Sequence, residues 1–155
     1  MESLGGRQWV GSPFDFNWLP FVSSHYGYRL NPFGGTKQLH RGVDIALPGG
    51  TPIQAAHSGV VTIAEYSASY GNWIEIFEER IVLGKIYYIH TRYAHLDTML
   101  VTVGDAVTQG MIIGTVGTTG MSTGNHLHFE VWVGGVHLNP VFFAEVGGDF
   151  SVDFE

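Results

Sequence analysis

The sequence predicts an all-β protein with little helix, and three observations carry that expectation. Glycine occupies 22 of 155 positions, about twice its usual share of roughly 7%, which supplies the sharp turns that many short strands need. The segments WIEIFE at 73–78 and HFEVWV at 128–133 alternate polar and apolar residues, the period of a half-buried strand. No stretch combines a helical period with caps. At most a short helical turn is expected near 94–100 (AHLDTML) or 139–146 (NPVFFAEV).

The elements follow in order. Residues 1–20 are rich in Gly, Pro and aromatics without a period, an irregular lead-in expected to pack Trp9, Phe14 and Trp18 on the domain. Residues 21–146 form the single domain that this length suggests. Within it GVDIAL (42–47) runs into the turn PGGTP, then IQAAHSGVVTIAEY (53–66) into the turn SASYGN. WIEIFEE (73–79) and RIVLGKIYYIHTRYAHL (80–96) follow, with Gly84 at an expected hairpin tip. After GDAVTQG come MIIGTVG (111–117), the loop TTGMSTGN, and HLHFEVWVGGVHL (126–138). The segments at 50–65 and 104–120 share a pattern, a glycine and a small polar residue leading through apolar positions to a glycine turn. Duplication and regular hairpin spacing both produce that pattern. Residues 147–155 read as a flexible acidic tail.

Composition removes several classes of function. Hydrophobic residues at 45% and charged residues at 14% exclude a disordered chain. Seven basic residues against fourteen acidic ones give a formal charge of -7, and no Lys/Arg cluster occurs, so nucleic-acid binding lacks its electrostatic footprint. The absence of cysteine excludes disulfides and thiolate ligands, so a metal would have to use His, Asp or Glu. No apolar run reaches about 18 residues, so the chain carries no membrane segment. The first residues lack the basic and hydrophobic regions of a signal peptide. Either the protein is not secreted by that route, or this is a piece of something longer.

Chemistry concentrates in three places. In GNHLHFE (124–130) a strand would send Leu127 into the core and leave His126 and His128 on one face, their Cα atoms about 6–7 Å apart. Two buried imidazoles need partners for four ring nitrogens, which a shared ligand would satisfy. In HRGVDIA (40–46), His40 and Asp44 would lie about 13 Å apart on a straight strand. They can meet only if the chain turns near Gly42. The third place is YAHLD, with His95. One carboxylate and two neutral imidazoles make a suitable zinc shell, and three protein ligands leave a fourth tetrahedral position for water. His40, Asp44 and one of His126 or His128 would supply the three. The remaining histidine of the pair and His95 would stand beside the water. Spacing alone leaves open which of the pair binds the metal.

HRGVDIA at 40–46, YAHL at 93–96 and GNHLHFEVW at 124–132 resemble the three signatures of the lysostaphin/LytM-type zinc endopeptidases of peptidoglycan, peptidase family M23. The resemblance extends over about residues 23–143, through SSHYGYRLNPFGG, GTPIQAAHSGVV, GNWIEI, VTVGDAVTQGMIIGTVGTTG and HLNP. It implies a largely antiparallel β-sheet or barrel-sandwich core, with long loops forming a substrate groove. It also implies one Zn2+ per chain held by His40, Asp44 and His128, with His95 and His126 as the catalytic histidines. The implied activity is hydrolysis of a peptide bond in bacterial peptidoglycan, in a stem-peptide cross-link or an interpeptide bridge. The resemblance further implies a monomeric piece of a larger secreted, phage or mobile-element protein that works outside the cell or facing the cell wall. Five residues near the expected groove are candidates to meet substrate: His25, Tyr26, Arg29, Tyr70 and Asn72. The segment RIVLGKIYYIH is longer than the turn expected there and adds a hairpin extension with His90.

Three rivals compete with this reading. An inactive M23-like regulatory or wall-binding domain would leave His95 and His126 without a purpose. A histidine phosphocarrier of the sugar-transport type would leave Asp44 unexplained. A lipoyl-type module, suggested by GDAVTQG, needs a lysine at an exposed hairpin tip, and neither Lys37 nor Lys85 is suitably flanked.

Overall fold

The computed structural model describes residues 8–30 and 33–147; most of the expected tail and the first seven residues of the lead-in lie outside them. Among the described residues the chain builds one ten-stranded sheet and a separate two-stranded sheet. The strands are β1 (Val22–Ser24), β2 (Gly27–Leu30), β3 (Lys37–His40), β4 (Val43–Ala46), β5 (Pro52–Gln54) and β6 (Gly59–Ser67). They continue as β7 (Gly71–Val82), β8 (Lys85–Met99), β9 (Ala106–Val107), β10 (Ile112–Val116), β11 (His126–Val133) and β12 (Val136–Leu138). All their pairings are antiparallel, in the order β1-β4-β11-β8-β7-β6-β9 across the large sheet. β10 joins β5 to β8, and β12 pairs with β11.

Of the two segments where a helical turn was expected, 94–100 lies mainly in strand β8, and 139–146 contains a four-residue helix, α1 (Pro140–Phe143). The difference is local chemistry. Asn139 caps α1 by accepting a hydrogen bond from the Val141 N–H, and Pro140 sits at its first position, where its missing donor costs nothing. The segment 94–100 has no cap and pairs with β10 instead. No helix among the described residues is long and apolar enough to cross a membrane.

Alternation sorts the strands into two faces. Val43 and Ile45 of β4, Ile74 and Ile76 of β7, and Leu127, Phe129 and Val131 of β11 are fully buried. The intervening Asp44, His126, His128 and Glu130 take the other face of the same strands. Trp9, Phe14 and Trp18 of the lead-in are buried, and the Trp18 indole donates to the Glu145 carbonyl at 3.1 Å. The lead-in is thereby tied to the chain just after α1.

The two patterned segments interlock. β5 pairs with β10, and β9 pairs with β6. The Gly50 N–H donates to the Val116 carbonyl at 2.8 Å, and the Val116 N–H returns to Thr51 at 2.9 Å. Gly104, Val61 and Asp105 repeat that exchange at 2.8 and 2.9 Å. The shared pattern therefore corresponds to a local twofold in the hydrogen bonding.

The expected hairpin extension is the long β7–β8 ribbon, its tip at Leu83 and Gly84, both at positive φ. Two consecutive positive φ values form the turn that matches strand twist. His90 lies on this ribbon against Phe77, their rings 5.0 Å apart.

His57, outside any site motif, has a structural role. It is buried, one ring nitrogen 2.8 Å from Glu78 and the other 2.9 Å from Thr91. Thr91 meets the Tyr93 hydroxyl at 2.7 Å, and that hydroxyl accepts from the Ala56 N–H. Burial pushes the Glu78 carboxyl up, but His57 and Arg80 outweigh it and bring it down to about 2. A folded-state value below the ordinary 4.5 means the stability this carboxylate contributes is present above that pH. It is lost as the pH falls toward the folded-state value. Urea titrations from about pH 5 to about pH 2 are expected to show a falling midpoint, with a shallower fall in Glu78→Gln. Equal slopes in the two proteins would contradict this.

Candidate active site

β4 and β11 lie side by side with Asp44 directly opposite His128. His40 ends β3 and reaches the pair because the chain turns through Arg41 and Gly42 into β4. A Cβ at residue 42 would stand 2.2 Å from the Phe129 carbonyl oxygen, so only glycine permits this close turn. The expected meeting of His40 with Asp44 is thus realised. His40 Nε2 lies 3.2 Å from Asp44 Oδ1 and 3.2 Å from His128 Nδ1, and His128 Nδ1 lies 2.9 Å from Asp44 Oδ1.

These three atoms form a near-equilateral triangle among buried residues. A tetrahedral ion bound at about 2.0–2.1 Å would hold its ligand atoms about 3.3 Å apart, close to the observed edges. Each imidazole is fixed through its other nitrogen. His40 Nδ1 donates to the His25 carbonyl at 2.9 Å, and His128 Nε2 donates to Glu130 at 2.7 Å. Anchoring of this kind orients metal-ligating histidines and sets the tautomer. The donor set therefore fits a divalent ion.

Glu130 was not among the site residues expected from sequence. It is 1% exposed and also accepts from the Tyr70 hydroxyl and, at 2.7 Å, from the Trp132 indole. Burial alone would raise its carboxyl, but His128 and these donors hold it at about 2. Its signal was present in the strand: Glu130 continues the alternation His126, His128, Glu130 on one face.

His95 reaches the site by a different device. Asn72 pairs with Leu96 and Ile74 with Tyr93, so two residues of β8 oppose the one residue Trp73 on β7. This is a β-bulge, which re-aims a side chain. His95 carries φ 68°, a conformation that costs about 1–3 kcal/mol outside glycine. Regular alternation would have sent it into the core. Instead its ring lies 4.7 Å from that of His126, and its Nδ1 donates to the Thr119 carbonyl at 2.8 Å. His126 Nδ1 is held likewise by the Gly124 carbonyl at 2.8 Å, and its Nε2 lies 3.6 Å from Asp44 Oδ1. Both rings are thus anchored through Nδ1. Burial, reinforced by the neighbouring His126 and His128, lowers His95 to about 4 despite its bond to Thr119. It is therefore neutral at physiological pH.

A cavity of about 630 Å³ opens over this group. All five chemistry-bearing residues line it, namely His40, Asp44, His95, His126 and His128. Of the five groove candidates, Arg29 and Tyr70 also line it. His25 contributes its carbonyl to His40. The Tyr26 hydroxyl meets His137 Nδ1 at 2.8 Å, and the Asn72 amide donates to the Leu96 carbonyl at 3.1 Å. Neither Tyr26 nor Asn72 lines the cavity.

A profile for Peptidase family M23 matches residues 38–140. The chain is 42% identical over 135 residues to a peptidoglycan DD-endopeptidase, ShyC, of Vibrio cholerae serotype O1, covering 86% of this chain and 29% of that protein. It is 40% identical over 116 residues to lysostaphin of Staphylococcus staphylolyticus, covering 73% of this chain and 22% of that one. Among solved structures, a zinc-containing peptidase from Vibrio cholerae superposes with a TM-score of 0.70 at 30% identity, over 85% of this chain and 39% of that chain. The catalytic domain of lysostaphin from Staphylococcus simulans does so at 0.65 and 36%, over 80% and 92%. The chain thus spans less than a third of the length of the curated relatives it matches.

Proposed function

The chain belongs to peptidase family M23, and from that premise we propose that residues 21–146 are the catalytic domain of a zinc-dependent endopeptidase acting on the peptides of bacterial peptidoglycan. The observation that carries this reading is the triangle of His40 Nε2, Asp44 Oδ1 and His128 Nδ1 beneath an open cavity. His40, Asp44 and His128 would hold one zinc ion. When bound there, such an ion would polarise the scissile carbonyl and would make a water acidic enough to act near neutral pH.

The chain's own residues supply the rest. His95 offers a neutral Nε2, because its Nδ1–H is committed to Thr119, and so it accepts a proton from the attacking water. His126 Nε2 stands 3.6 Å from Asp44 Oδ1. With Nδ1–H committed to the Gly124 carbonyl, it donates from Nε2 only when the ring is doubly protonated, and that form would stabilise the oxygen that becomes anionic as the carbonyl is attacked. Glu130 and the His25 carbonyl keep the two ligating imidazoles in register. The work site is the cell wall, outside the cytoplasm, as the names of the relatives suggest.

Digestion of purified peptidoglycan of several chemotypes, followed by mass spectrometry of the fragments, tests the reaction. Release of cross-link or bridge peptides that disappears with a chelator is expected. Intact wall material with zinc-loaded protein would contradict the reading, and zinc analysis of the same sample would identify an inactive, metal-retaining domain.

Metal uptake should also be proton-linked. Burial would lower His128, but Asp44 and Glu130 on its two ring nitrogens outweigh that and raise it to about 9. Below that pH the metal-free ring carries a proton on Nδ1, which the ion must displace. Calorimetry in buffers of different ionisation enthalpy near pH 7.5 is expected to show about one proton released per zinc, with affinity rising as the pH rises. Zinc binding without proton release would contradict the ligand role of His128.

A further inference from the structure

Seven basic residues occur in a chain of formal charge -7, and two of them, Arg29 and Arg41, line the cavity. Arg80 and Arg92 are paired elsewhere, with Glu78 at 2.8 Å and Glu75 at 2.9 Å. Arg29 is placed on β2, in the hairpin that also delivers His40. Its Nη1 donates to Ser24 Oγ at 3.1 Å and lies 3.9 Å from Asp44 Oδ2, the oxygen turned away from His40 and His128. Its Nε is buried and has no hydrogen-bond partner among the described residues.

A guanidinium presents five N–H donors in a rigid fork suited to a carboxylate. Here one Nη1 donor is engaged at normal distance and Nε is sealed from the cavity, so the exposed part of this side chain, 29% accessible and lining the cavity, is what a ligand carboxylate can meet. Asp44 does not satisfy it. Its oxygen is too distant for a hydrogen bond, and its charge is shared with the metal site. A carboxylate in the cavity would meet positive charge from both arginines.

Resting on the endopeptidase reading above, we infer that Arg29 is the specificity-determining residue that receives a carboxylate of the substrate beside the scissile bond. Substrates are therefore peptides carrying a free carboxylate there. The group is either the C-terminal α-carboxylate of the peptide or a side-chain carboxylate of a residue flanking the bond. Arg41, exposed at the same cavity, adds charge without a fixed geometry.

The test uses the zinc-loaded protein and cross-linked stem-peptide dimers in three forms: both carboxylates free, the C-terminal one amidated, and the flanking side-chain one amidated. Kcat and KM are measured for each dimer, and calorimetry measures the affinity of the corresponding product peptides without turnover. Wild-type protein is expected to prefer the free acid by about tenfold or more, with one of the two amidations responsible and so naming the source. Arg29→Gln is expected to bring that ratio close to one with zinc content retained, while Arg29→Lys recovers part of it. A wild-type protein without preference in the binding assay, an unchanged ratio in Arg29→Gln, or loss of zinc from that variant would each overturn the inference. If no dimer is cleaved at all, the endopeptidase reading fails, and the binding preference still decides the role of Arg29.

Discussion

Replacing His128 with alanine is expected to remove both the zinc and the activity. Nδ1 of this residue is one corner of the ligand triangle, and two ligands do not make the closed three-point seat that a tetrahedral ion needs. The loss goes beyond one donor. His128 bridges Asp44 at 2.9 Å and Glu130 at 2.7 Å, so its removal leaves two buried carboxylates facing a hole. Elemental analysis should find little zinc in the purified variant, and turnover of peptidoglycan should fall to background. Circular dichroism should still show a folded sheet, since the core of Leu127, Phe129 and Val131 lies on the opposite face of β11. A His128→Ala protein that keeps one tightly held zinc would show that the ion sits elsewhere.

His126→Ala is expected to give the opposite separation: zinc retained and turnover lost. His126 lies two residues from His128 on the same face, yet its Nδ1 is tied to the Gly124 carbonyl and its Nε2 stands 3.6 Å from Asp44. It borders the ion's seat without closing it. Loss of a positioned proton donor or acceptor typically costs about 10²–10⁴ in rate, and His95→Ala should fall in the same range. Zinc content near that of the wild-type protein, measured beside kcat, distinguishes these two residues from the ligands. If His126→Ala lost the metal and His128→Ala kept it, the roles within the pair would be reversed.

Much of the site was legible because strand periodicity is a short-range signal. Leu127 inward with His126 and His128 outward follows from alternation alone, and the turn at Gly42 follows from the distance between His40 and Asp44. The same alternation reached Glu130, but a carboxylate whose role is to anchor an imidazole looks like any other glutamate on a strand. His95 was harder for a physical reason. Its orientation depends on β8 having one more residue than β7 between two pairings, a count set across the hairpin and unseen in YAHL itself. The carbonyls of Thr119 and Gly124 carry no side-chain signature at all. Tyr26 and Asn72 were placed near the groove by their position in the chain. Whether they touched the cavity depended on partners distant in sequence, His137 and Leu96. Spacing left the roles of His126 and His128 open; the family resemblance implies them, and the two variants above are what test them.

The most direct measurement is anomalous diffraction at the zinc absorption edge from crystals of the zinc-loaded protein. A single strong peak is expected within about 2.0–2.2 Å of His40 Nε2, Asp44 Oδ1 and His128 Nδ1, with its remaining coordination position open toward His95 and His126. A peak bound by His95 and His126 instead, or none near the carboxylate of Asp44 at full zinc loading, would contradict the account.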